Sequence, residues 1–90
     1  MTTHSSLLRA ARAILRWDQK TLSEKAKVSP MVVTRCENDE GIRAASLMKI
    51  QRAFEGAGIV FLNEEGGLGP GIRLAEAPPL AFSKKVTRNK

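Results

Sequence analysis

The sequence predicts a mainly α fold, four helices followed by a C-terminal β-hairpin, and three observations carry that reading. Apolar residues recur at three- and four-residue steps from Leu7 to Ala57, the period of a helix with one buried face. Caps and a proline punctuate that pattern at Asp18, at Ser29-Pro30 and at Ser46. Beyond Gly58 the pattern changes to IVFL, the turn-forming NEEGG and then LGPGIRL, which read as two short strands and their connection. The chain has 90 residues, enough for one domain with a small core. It divides into a helical part over 6–58, a hairpin over 59–75 and a flexible basic tail over 76–90.

Met1 to Ser6 is polar and reads as a frayed end in which His4 is a solvated side chain. In the first helix Leu7, Leu8, Ala11, Ile14 and Leu15 form the apolar stripe, while Arg9, Arg12 and Arg16 share the other face. Trp17 plugs the space between this helix and the next. Asp18 is the N-cap of the second helix, whose inward side carries Leu22 and Ala26; Thr21 stands where a capping box would have Glu, so packing must hold this short helix. Lys27-Val28 forms a tight turn. Ser29 then caps a third helix with Pro30 in its first turn, Val33 and Cys36 inward, and Met31, Val32, Thr34 and Arg35 outward. After a polar loop around Gly41, Ser46 is expected to cap a fourth helix carrying Leu47, Ile50, Phe54 and Ala57, which Gly56 and Gly58 end.

The hairpin poses a packing question. A surface strand alternates apolar and polar residues, whereas Ile59, Val60, Phe61 and Leu62 are apolar on both faces. An isolated two-stranded hairpin is marginal in water, so a second copy of the chain is the expected cover, with Ile59, Val60, Phe61, Leu62, Ile72 and Leu74 as the dimerisation residues.

Charge points to the class of partner. Fifteen Lys and Arg against nine Asp and Glu leave a net charge of +6, with a pI of about 10.1, which favours an anionic partner such as nucleic acid. Arg9 to Arg35 holds seven basic and two acidic residues, +5, whereas Glu37 to Glu65 holds three basic and six acidic, −3. The positive charge thus lies with the first three helices, around the candidate recognition unit, and Lys84 to Lys90 adds a separate basic run. One His and one Cys supply neither a metal site nor a catalytic constellation, so no cofactor, no metal and no enzymatic activity are expected. Cys36 reads as a packed thiol, and Gly66, Gly67, Gly69 and Gly71 as a turn rather than a phosphate loop. The longest uninterrupted apolar run, Ile59 to Leu62, is far short of the ~20 residues that span a bilayer, so a cytoplasmic, nucleoid-associated protein without membrane contact is expected.

Gln19 to Asn38 reads as a helix-turn-helix, and Gln19, Leu22, Ala26, Val28, Ser29, Val33, Glu37 and Asn38 match the pattern Q-x-x-L-A-x-x-A-G-V-S-x-x-x-[VI]-x-x-x-E-N. In these residues the chain resembles the lambda repressor and Cro-like (XRE-type) helix-turn-helix family, over Leu7 to about Ala57. Ser23 departs mildly from the usual Ala. Lys27 replaces a turn Gly where positive φ is needed, at a cost on the order of 1 kcal/mol. A strand pattern stands where many members have a fifth helix.

The resemblance implies a sequence-specific transcriptional regulator, a repressor or autoregulator, binding double-stranded DNA with two half-sites as a homodimer. Residues 30–37 would enter the major groove, with Met31, Val32, Thr34 and Arg35 at base edges. Arg35 would read guanine O6 and N7, and Met31 and Val32 thymine methyl groups. Gln19, Ser29, Asn38, Arg43 and Arg12 would hold phosphates. In this resemblance Arg12 both pairs with Glu37 and approaches the DNA backbone; its second reading is a purely structural ion pair with Glu37. Two alternative functions follow from the same motif: an antitoxin that represses its own operon, and a helix-turn-helix-derived module that binds a toxin or another regulator.

Overall fold

The three- and four-residue apolar spacing is realised as four helices. In the computed structural model, which describes residues 4–76, they are α1 (Ser5–Leu15), α2 (Gln19–Ala26), α3 (Pro30–Glu37) and α4 (Ala44–Gly56), followed by strands β1 (Ile59–Leu62) and β2 (Gly71–Leu74). The chain is therefore mainly helical with a small antiparallel hairpin. The tail expected over 76–90 lies outside the described residues except for Glu76.

Each helix contributes one stripe to a common core. Leu8 and Ala11 of α1, Leu22 and Ala26 of α2, Val33 and Cys36 of α3, and Ile50 and Phe54 of α4 are buried together, and Ile59 of β1 joins them. Burying a side chain of this size is worth about 1.5–3 kcal/mol, which is what holds helices of eight residues that would not persist alone. Three rings tie the layers together. Trp17 stacks on Phe54 at 5.7 Å, and Phe61 of the hairpin meets the same phenyl edge-on at 6.2 Å. The tryptophan thus packs on α4, not only between α1 and α2.

The helix starts divide into expected and corrected ones. Asp18 Oδ1 accepts from the Thr21 amide at 2.7 Å, and Ser29 Oγ from the Val32 amide at 3.2 Å, as the caps predict. α1 begins one residue earlier than expected. His4, assigned to a frayed end, occupies its N-cap position, and its carbonyl accepts from the Leu7 and Leu8 amides. α4 begins at Ala44 and not at Ser46: Arg43 is the N-cap, with no side-chain bond, and its carbonyl accepts from the Ser46 and Leu47 amides. The Ser46 cap was expected because a hydroxyl preceded the periodic run, yet two alanines with high helix propensity extend the helix upstream of it.

The helix ends share a less usual device. Arg16, Lys27 and Asp39, which follow α1, α2 and α3, have φ of 59°, 61° and 61°, the left-handed region that glycine usually fills. In each case the next residue's amide bonds back five positions: Trp17 to the Arg12 carbonyl at 3.0 Å, Val28 to Ser23 at 3.0 Å, and Glu40 to Arg35 at 2.8 Å. The turn at Lys27 is the one the sequence predicts, and Arg16 and Asp39 repeat it at roughly 1 kcal/mol each.

The hairpin register pairs Ile59 with Leu74, Val60 with Arg73, Phe61 with Ile72 and Leu62 with Gly71. One face therefore carries Ile59, Phe61, Ile72 and Leu74, and these pack on the helical core. Gly58, at φ 100°, makes the corner from α4 into β1, and its carbonyl accepts from the Ala75 amide at 2.8 Å. At the far end Glu65 and Leu68 exchange both backbone hydrogen bonds around Gly66 and Gly67, both at positive φ.

Candidate functional site

The most tightly built polar feature lies behind α3. Glu37 is only 3% exposed, and its carboxylate accepts from Arg12 Nε at 2.6 Å, Arg12 Nη2 at 3.0 Å and Gln19 Nε2 at 2.9 Å. Arg12 Nη1 also donates to the Trp17 carbonyl at 3.0 Å, and Arg9 Nη1 donates to the backbone carbonyl of Glu37. Burial alone would raise the Glu37 pKa. The hydrogen bonds from Arg12 and Gln19, with the charges of Arg12 and Arg9, outweigh burial and hold it below the ordinary value near 4.5. The same bond to Glu37 keeps Arg12 more firmly protonated than usual. α1, α2 and α3 are thereby locked through one carboxylate.

That network engages two of the expected phosphate contacts. Arg12 gives one hydrogen each from Nε, Nη1 and Nη2 to internal acceptors, so the expected pair with Glu37 is present, and two of its five donor hydrogens remain for an outside acceptor. Gln19 donates to Glu37, and its Oε1 accepts from Thr34 Oγ1 at 3.3 Å, which leaves one amide hydrogen for an outside acceptor. Arg9, which the sequence reading left on a solvated face, is a fourth member of the cluster; its three-residue spacing from Arg12 was the available signal.

The other face of α3 is open. Met31 is 67% exposed, and Thr34 and Arg35 are exposed with it. Val32, expected beside them, is half-buried against the core and lines instead an open groove of about 500 Å³ with Arg35, Gly41, Ile42, Arg43 and Ser46. The groove brings together Val32 and Arg35 with one expected phosphate ligand, Arg43. Ser29 and Asn38 are exposed outside it; Ser29 serves its cap as an acceptor and keeps its hydroxyl proton to donate. Arg35 Nε lies 3.7 Å from Glu40 Oε1, and both side chains are more than half exposed.

The six expected dimerisation residues separate by face. Ile59 is buried, and Phe61, Ile72 and Leu74 pack on the helical core, so these four are turned inward and the expectation that they present an outer surface is corrected. Only Val60, 38% exposed, and Leu62, 40% exposed, look outward, with Arg73 opposite Val60. The apolar character of β1 on both faces was readable; which face met the protein's own helices depended on the α4–β1 corner. Cys36 is buried, and burial raises its thiol pKa, consistent with a packed side chain.

Among the described residues no group of three or more His, Cys, Asp or Glu is placed to hold a metal ion, and no helix is long and apolar enough to cross a membrane. The chain matches no protein-family model and no curated protein. The site rests on its own geometry.

Proposed function

We propose that the chain is a sequence-specific DNA-binding transcriptional regulator, a repressor or autoregulator, that binds an inverted-repeat operator as a homodimer with α3 in the major groove. One observation carries the reading: α3 is braced from behind by the Glu37 cluster while Met31, Thr34 and Arg35 stand exposed on its other side, in a chain of net charge +6. A rigid helix with an exposed guanidinium suits direct readout, because base-edge contacts tolerate little positional error. The α2–α3 turn at Lys27 and the Ser29 cap support the same reading, through the resemblance to the lambda repressor and Cro-like family. Two such helices in successive grooves would read half-sites about 34 Å apart.

In the dimer, the outward hairpin face with Val60 and Leu62 is the proposed contact, which leaves Phe61 to the core. A second reading, an antitoxin or a module that binds another regulator, is favoured by the apolar residues left outside: Leu62 and, at the hairpin tip, Leu68, which is 75% exposed.

Selection from a randomised duplex library, joined to sedimentation of the protein, tests both parts. The wild type is expected to enrich a two-fold symmetric motif and to lose affinity steeply with salt. Arg35→Ala is expected to erase preference at one base pair of each half-site, worth about 1–3 kcal/mol. Leu62→Glu is expected to sediment as a folded monomer with weak binding. A selection that enriches nothing, or a Leu62→Glu protein that remains dimeric, overturns the corresponding part.

A further inference from the structure

The acidic residues Asp39 and Glu40 follow Asn38, the C-cap of α3, and would face the same anion that α3 approaches, an arrangement that electrostatics alone disfavours. Their backbone is nonetheless held in a defined shape. Asp39 adopts φ 61°, its amide bonds to the Cys36 carbonyl at 3.4 Å, and the Glu40 amide bonds to the Arg35 carbonyl at 2.8 Å. This pair of bonds folds the chain back across the last turn of α3 and sets Glu40 beside Arg35. The Glu40 carboxylate then lies 3.7 Å from Arg35 Nε.

The choice of nitrogen matters. A guanidinium can meet guanine O6 and N7 through Nε with one Nη, or through both Nη groups. At 3.7 Å the carboxylate is an ionic neighbour of Nε and not its hydrogen-bond acceptor, yet its charge draws the Nε edge toward itself and leaves Nη1 and Nη2 as the favoured fork. It also restricts a long side chain that would otherwise sample many rotamers before binding. We infer that Glu40 is a positioning residue for Arg35, its charge biasing the guanidinium so that Nε turns toward the carboxylate and Nη1 and Nη2 present a bidentate fork to a guanine. The inference rests on the DNA-binding reading and adds to it a second specificity determinant outside α3. Water screens the pair in the free protein, and the approach of DNA removes that water, so the interaction strengthens when the base is engaged.

Two substitutions separate positioning from simple repulsion. Glu40→Gln removes an acid near the phosphates, so repulsion alone predicts tighter binding to every duplex with preference unchanged. Positioning predicts a random duplex bound as well or better, while preference for guanine at the Arg35-dependent base pair falls by up to about fivefold, the range of an exposed ion pair. Glu40→Asp keeps the charge but shortens the reach, and is expected to lose the same preference with no gain on random duplex. Both proteins should melt as the wild type does, since Glu40 is exposed.

The measurement is selection from a randomised duplex library by wild type, Arg35→Ala, Glu40→Gln and Glu40→Asp. Undiminished guanine preference in either Glu40 variant overturns this inference alone, as does unchanged preference in Arg35→Ala. A wild type that enriches no sequence overturns the DNA-binding reading and this inference with it.

Discussion

α3 carries an Arg–Glu pair on each of its sides, and the two could hardly differ more. Behind it, Arg12 grips Glu37 through two nitrogens at 2.6 and 3.0 Å, with the arginine 22% and the glutamate 3% exposed. In front, Arg35 approaches Glu40 through one nitrogen at 3.7 Å, with both side chains in water. Chemistry is the same; solvent and geometry are not. A buried carboxylate with three donors has nowhere else to go, so the first pair is structural, whereas a screened contact contributes little to the fold and stays available to a ligand.

The contrast is sharpest in stability. Glu37→Ala strands the Arg12 guanidinium and a Gln19 donor, and is expected to cost about 3 kcal/mol, the low end for breaking a buried pair because Arg12 keeps some solvent. The same substitution at Glu40 is expected to stay within about 0.5 kcal/mol. Urea unfolding of the two variants decides it; equal losses would mean that burial does not distinguish the pairs.

Acid gives the next largest effect. Because the folded Glu37 pKa is depressed, its charged form is favoured by folding, so its contribution is complete above the ordinary glutamate value near 4.5 and is lost as pH falls through the lower folded value. Asp18, held below the usual aspartate range by the Thr21 amide, acts in the same direction. Wild-type stability should therefore fall between about pH 5 and pH 2, and Glu37→Gln, uncharged throughout, should fall less steeply. Parallel curves for the two proteins would remove Glu37 from the explanation.

The smallest effect concerns the residue between the pairs. Asp39 sits at positive φ and places a negative charge at the C-terminal end of α3, both unfavourable. Asp39→Gly is expected to raise stability by about 0.5–1 kcal/mol, less than the left-handed strain and the charge together because glycine also loosens the unfolded chain. A thermal melt checks it, and a destabilised variant would assign Asp39 a side-chain role beyond the turn.

Local chemistry was readable where it was decided locally. The stripe from Leu8 to Phe54, the Asp18 and Ser29 caps and the left-handed Lys27 all follow from neighbours within a few positions. The turn at Asp39 is not legible in the sequence, because an aspartate in a polar loop carries no period and no glycine. The pairing of Arg12 with Glu37 is legible through the resemblance, whereas Gln19, 18 residues from Glu37, reads only as a phosphate ligand, and only the packed core shows that this carboxylate is buried. The hairpin failed in a similar way. Alternation identifies two faces, but whether Phe61 or Val60 faces Phe54 depends on the Gly58 corner, and a one-residue shift would exchange them.

Trp17 is the chain's single tryptophan. Its indole stacks on Phe54, the Lys25 ammonium lies 5.9 Å above the ring, and its own carbonyl holds Arg12, which holds Glu37. Intrinsic fluorescence from this protein therefore has one source, wired by two side-chain contacts to the base of α3. Any event that tilts that helix or protonates Glu37 reaches a chromophore that needs no label.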